Sequence, residues 1–190
     1  TGAARMDEYL RAMNATGVYI SEVMASNDST MVYASDEENN TYSDWVEIYN
    51  STQSAVDLSG YGFSDNLGRG RKWQFPQGTI INPGEYKVIL LDGQANLTTT
   101  AQLHTSFRLT RTGGEIVCLA TPEGKVIDKL VLPRVPTDVS YGRTIGLSGF
   151  FYYDAPTPMA ANGTGFKGYA QAPSFTTKPG LYYQTVLTGF

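Results

Sequence analysis

The sequence predicts an all-β protein, an antiparallel sandwich or barrel, on three observations. Turn signals recur at short intervals from residue 58 onward, and the runs between them are short and rich in β-branched and aromatic residues. No helical pattern stands between those runs, which argues against βαβ units. The chain has 190 residues, enough for one good core with extensions at its ends. Its 41% apolar content, 13 Tyr, 20 Gly and 9 Pro describe a globular chain of many strands and turns rather than a disordered one.

The elements follow in order. Residues 1–16 place Met6, Tyr9, Leu10 and Met13 at helical spacing, but the stretch is short and poorly capped, so it reads as a frayed helix or linker. From Val18 the pattern becomes β, with Val18, Ile20 and Val23, followed by a polar loop from Ser26 to Ser43. In DWVEIYN (44–50), Val46 and Ile48 share one face while Trp45, Glu47 and Tyr49 share the other. Further strand-like runs are YGFSD (61–65), KWQF (72–75), EYKVILLD (85–92), SFRL (106–109), EIVCLAT (115–121) and KVIDKLVL (125–132). Val88 to Leu91 is apolar on both faces, which predicts a central strand with its outer face covered as well. Asn82-Pro83-Gly84-Glu85 fits a type II turn, and Thr121 to Lys125 closes a hairpin. Beyond Asn162 the chain has the composition of a connector, and 173–190 looks like the opening strands of a further β-domain. The division expected is 1–16 linker or short helix, 17–162 sandwich, and 163–190 connector with the start of the next domain, in a longer parent protein.

Composition excludes several functions. Net charge is −4, so a phosphate backbone has no general electrostatic attraction to this chain and nucleic acid is disfavoured as partner. Cys118 is the single cysteine, which rules out an intrachain disulfide and a Cys-rich metal cluster. No apolar run is long enough to insert in a membrane, and no signal peptide opens the sequence. The expectation is a cytosolic chain or one whose export segment has been removed.

Several blocks in order are similar to one family: ISEVMASN (20–27), DWVEIYN (44–50), VDLSGYGFSD (56–65), KWQFPQGTIINPGEYKVIL (72–90), GGEIVCLATPEGKVIDKLVL (113–132), SYGR (140–143) and APTPMAAN (155–162). Together they resemble the bacterial form of the lamin tail domain over roughly 17–162. The resemblance implies an antiparallel immunoglobulin-like β-sandwich without catalytic residues. It further implies an accessory module of a larger secreted or cell-surface bacterial protein, whose partners are a protein or cell-surface ligand and the adjacent domains. Chromatin association does not carry over to this acidic copy.

The candidate chemistry is sparse. Asp36, Glu38, Asn40, Asp44 and Glu47 occupy positions 1, 3, 5, 9 and 12 of a twelve-residue window, the ligand order of a calcium loop. Thr41 stands where such loops need Gly, and no helices flank the window, so a solvated acidic loop is the plainer reading and any Ca²⁺ would be structural. His104, the sole histidine, reads as a surface or edge-strand residue, and Cys118 as a buried inert thiol. Arg69-Gly70-Arg71-Lys72 reads as a solvated turn. Tyr141-Gly142-Arg143 reads as a core tyrosine beside an Arg143–Asp128 pair. Phe150 to Tyr153, Tyr182 and Tyr183 offer rings of a kind able to stack on sugars, but strand cores and domain interfaces use the same residues. Six N-x-S/T triplets begin at Asn14, Asn27, Asn39, Asn50, Asn96 and Asn162, and chance accounts for them in an Asn- and Thr-rich chain. The function expected is a non-catalytic interaction or spacer module with no cofactor. The alternative is a calcium- or carbohydrate-binding module accessory to an extracellular enzyme.

Overall fold

A computed structural model describes residues 16–33, 42–144 and 149–170. The expected helix or linker at the N-terminus, the acidic half of the Ser26–Ser43 loop and the opening strands expected at 173–190 lie outside the described residues. Twelve strands are present among those described: β1 (Val18–Met24), β2 (Trp45–Asn50), β3 (Val56–Asp57), β4 (Gly62–Ser64), β5 (Trp73–Gln74), β6 (Ile80–Ile81), β7 (Tyr86–Leu90), β8 (Leu103–His104), β9 (Ile116–Ala120), β10 (Val126–Val131), β11 (Ser140–Gly142) and β12 (Phe151–Tyr153). A six-stranded sheet runs β12-β11-β1-β2-β7-β8, and a four-stranded sheet runs β10-β9-β4-β5. β3 and β6 form a small separate pair. The fold is an immunoglobulin-like β-sandwich, antiparallel at every pairing except β7 with β8.

Alternation explains how the sheets meet. Val18, Ile20 and Val23 of β1, Val46 and Ile48 of β2 and Ile89 of β7 face Phe63, Val117, Leu119, Ile127 and Leu130 of the other sheet, all buried in one cluster. Each such side chain contributes about 1.5–3 kcal/mol by leaving water. The doubly apolar Val88–Leu91 run behaves as its pattern predicts, because β7 lies between β2 and β8. Val88 and Leu90 turn outward with Met24 and Trp45, and Val32 and Tyr33 of the loop after β1 cover them. Loops therefore form a partial third layer on the outer face.

Two irregularities place functional groups. Pairing of β1 with β2 shifts register between Ile20 and Glu22, a bulge that leaves Ser21 unpaired there, and β10 shifts against β9 between Val126 and Asp128. The predicted turns form as expected: Glu85 N–H donates to the Asn82 carbonyl at 3.0 Å with Gly84 at φ 71°, and Thr121 N–H donates to the Lys125 carbonyl at 2.8 Å.

The expectation of a strand at 106–109 requires correction. The strand of that region is β8, at 103–104, and 106–109 runs without ladder partners. Phe107 and Leu109 are nonetheless buried at 5% and 6% exposure, so the alternation reported a core-facing segment rather than a paired one. The connection from β7 to β8 crosses through a 3-10 turn at Ala95–Leu97, which brings β8 alongside β7 in the same direction. At the other end of the six-stranded sheet, residues 163–170 lie along β12. Phe166 exchanges two backbone hydrogen bonds with Tyr152, and Phe166 and Tyr169 pack on its ring.

Candidate functional site

Antiparallel order collects one set of loops at one end of the sandwich. β1, β7 and β10 finish there, and β2, β9 and β11 start there. The segments 25–33, 42–44, 91–98, 105–115 and 132–139 thus become neighbours, and side chains tie them. Asn27, 5% exposed, donates its amide to the carbonyls of Thr30 at 2.7 Å and Ser43 at 2.8 Å. The Asp138 carboxylate accepts the backbone N–H groups of Asp28 and Ser29 at 2.8 and 3.0 Å. A rigid scaffold presenting joined loops is a common design for recognition.

Two concavities open at this end. One, of about 250 Å³, is lined by Tyr42, Ser43, Asp44, Leu91, Asp92, Gln94 and Arg108. Burial pushes the Asp44 carboxyl up to about 6, opposed by the Asn27 N–H and the Arg108 charge. Beneath it His104 Nδ1 meets Asp92 Oδ2 at 2.7 Å, both residues buried. His104 is thus on an edge strand, as expected, but inside the protein. A histidine oriented by a carboxylate resembles part of a hydrolytic triad, but the cysteine does not stand with it: Cys118 lies on β9 of the other sheet, with Sγ 4.0 Å from the Asn66 carbonyl. Burial raises the Cys118 thiol to about 11, which makes it inert at neutral pH. The other concavity, of about 480 Å³, is lined by Arg111, Thr112, Arg134, Val135, Pro136 and Thr137.

Of the five candidate calcium ligands, Asp36, Glu38 and Asn40 lie outside the described residues. The structure does not bring the remaining two together. Asp44 precedes β2 on the parity of Val46, whereas Glu47 is fully buried on the opposite face, with Oε1 accepting the Ser21 hydroxyl at 2.7 Å and Oε2 accepting the Met159 N–H. No group of three or more His, Cys, Asp or Glu poised for a metal exists among the described residues.

Glu47 stands opposite Glu22 across β1 and β2, a pair the sequence reading missed. Glu22 accepts the Ser140 hydroxyl and the Thr157 N–H, the latter at 3.3 Å. Burial raises Glu22 to about 7, and burial together with the Glu22 charge raises Glu47 to about 8. A glutamate on the outer face at the centre of a six-stranded sheet was the available signal, but alternation alone assigns that face to solvent. The segment at 155–162 makes it an interior.

Other expectations fall into place as structure. Arg143 Nη2 contacts Asp128 at 3.0 Å, and Asp128 also accepts the Ile20 N–H at 2.7 Å, so this pair joins the two sheets. In the basic turn, Lys72 pairs with Asp65 at 2.6 Å and Arg71 donates to Gln74. Asn50 is fully buried, holding the carbonyls of Ser54 and Ile81, and is no more a glycosylation acceptor than Asn27. No helix among the described residues is long and apolar enough to cross a membrane.

Buried carboxylates held by internal hydrogen bonds, with exposed loops gathered at one end, describe an immunoglobulin-like module. The profile of the Lamin Tail Domain family matches residues 11–133, and the chain belongs to that family. Such domains are typically non-catalytic interaction modules. No curated protein matches the chain. The match ends before β11 and β12, although both strands complete the six-stranded sheet.

Proposed function

We propose that the domain is an interaction and spacer module of a larger secreted or cell-surface bacterial protein, holding a neighbouring domain in place while its loop end meets a partner protein. The supporting observation is the loop end itself: five segments fastened to one another by side-chain and backbone hydrogen bonds on a rigid core, the Asp138 carboxylate spent on that fastening. Location and chemistry are tested separately. An antibody against this domain should label intact source cells, or the culture medium should contain the antigen. Its confinement to the cytosol would overturn the surface assignment. Purified protein should turn over no ester, glycoside or phosphomonoester substrate, and turnover that disappears in Asp92→Asn would overturn the non-catalytic reading.

A further inference from the structure

We propose that the groove between Arg111 and Arg134 is a docking site for an acidic peptide segment of a partner protein, each guanidinium taking one carboxylate. The inference rests on the interaction-module reading and assigns the chemistry of the surface that the module uses.

Charge accounting leads to it. The chain carries 18 acidic and 14 basic residues, and several described cations, Arg69, Lys125, Lys129 and Lys167 among them, have no side-chain partner; Arg111 and Arg134 stand apart because they line one groove together. Among the described residues the ion pairs are Lys72–Asp65, Lys87–Glu85 and Arg143–Asp128, His104 is hydrogen-bonded to Asp92, and Arg111 and Arg134 have neither an ion-pair nor a hydrogen-bond partner. The carboxylates nearest in the chain are already committed. Glu115 accepts the Thr110 N–H at 2.9 Å and the Thr110 hydroxyl at 2.8 Å, and Asp138 accepts the two N–H groups of Asp28 and Ser29. Both arginines are exposed and line the same groove of about 480 Å³.

The backbone beneath them is fixed. Gly113, at φ 85°, packs so closely on the next loop that a Cβ there would lie 2.6 Å from the Arg134 nitrogen. Gly114 N–H donates to the Leu132 carbonyl at 2.8 Å, and Leu132 N–H returns to the Glu115 carbonyl at 2.7 Å. The loops that carry the arginines are thereby clasped together, which lowers the ordering cost of binding. Val135 is buried in the wall, and Pro136, Thr112 and Thr137 supply mixed apolar and polar surface suited to a peptide. Two planar guanidinium forks match discrete carboxylates. A long polyanion would meet the net charge of −4 and the nearby Asp28, Glu115 and Asp138.

The test is fluorescence anisotropy of labelled hexaglutamate with the full chain, with hexalysine and inorganic tripolyphosphate as comparisons. Hexaglutamate should bind in a salt-sensitive way, and Arg111→Gln with Arg134→Gln should weaken it about tenfold or more while leaving the melting temperature unchanged. The paired Lys variants should fall between, because charge remains and the fork is lost. Arg69→Gln with Lys125→Gln, at the opposite end of the β9–β10 hairpin, should bind like the parent. Absence of saturable hexaglutamate binding would overturn the proposal, as would equal weakening by the opposite-end variant. Tighter binding of tripolyphosphate would mark a phosphate site instead. None of these results touches surface location or lack of turnover, by which the module reading stands or falls.

Discussion

Two carboxyl groups, Glu22 and Glu47, face each other across β1 and β2, fully buried and approached by hydroxyl and N–H groups rather than by a cation among the described residues. Their values of about 7 and about 8 stand above 4.5, the ordinary value, so the folded state binds protons more tightly than the unfolded chain. The contribution is therefore complete below the unfolded value and is lost as pH rises through the folded ones. Chemical denaturation should show stability falling by several kcal/mol between about pH 5 and pH 9, and Glu22→Gln with Glu47→Gln should flatten that slope. A slope that persists in the double variant would place the titration elsewhere. Asn50 carries a different load: its amide bonds Ser54 and Ile81, and its carbonyl accepts the Thr52 N–H at 3.0 Å. Asn50→Ala should cost about 2–3 kcal/mol in urea denaturation, because the carbonyls lose their donors without gaining water.

At the level of elements, β11 depends on close approach to β1. A Cβ on Gly142 would lie 2.1 Å from the Ser21 carbonyl oxygen and 2.8 Å from the Glu22 Cα, both backbone atoms of the bulge. Gly142→Ala should lower the melting temperature by several degrees or more, since overpacking that moves backbone costs about 1–3 kcal/mol. An unchanged melting temperature would show that the strands separate without loss. β2, β7, β9 and β10 were legible in the sequence because each is long enough to display its alternation, and Pro83-Gly84 and Gly124 mark the turns beside them. β8 was not legible, since two residues show no period and the better alternation of Phe107 and Leu109 lay just beyond it. Glu22 and Glu47 were hidden for another reason: their burial depends on a segment more than 100 residues away. Likewise, the groove of Arg111 and Arg134 comes from two loops that only the fold makes adjacent.

On the scale of the whole molecule, the last described strands close the sandwich rather than decorate it. β11 pairs with β1, and Arg143 just after it pairs with Asp128 of β10, whose other oxygen accepts the Ile20 N–H of β1. Three strands from two sheets thus meet at one buried carboxylate. Arg143→Leu should destabilise the protein by about 3–5 kcal/mol, because Asp128 would remain buried without its cation. A larger effect belongs to removal of residues 134–190, which leaves the family-matched region and the residues before it. That fragment keeps most of the central core, but it exposes the β1 edge and takes Arg143 from Asp128, and Ser140 and Thr157 from Glu22. Three buried carboxylates, Asp128, Glu22 and Glu47, would lose partners together, and domains of this size are stable by only about 5–15 kcal/mol. The fragment should therefore melt without a cooperative transition and show poorly dispersed amide NMR signals, whereas the full chain should show a single sharp transition. A fragment that melts as sharply as the full chain would mean that β1 is held in the sheet by β2 alone.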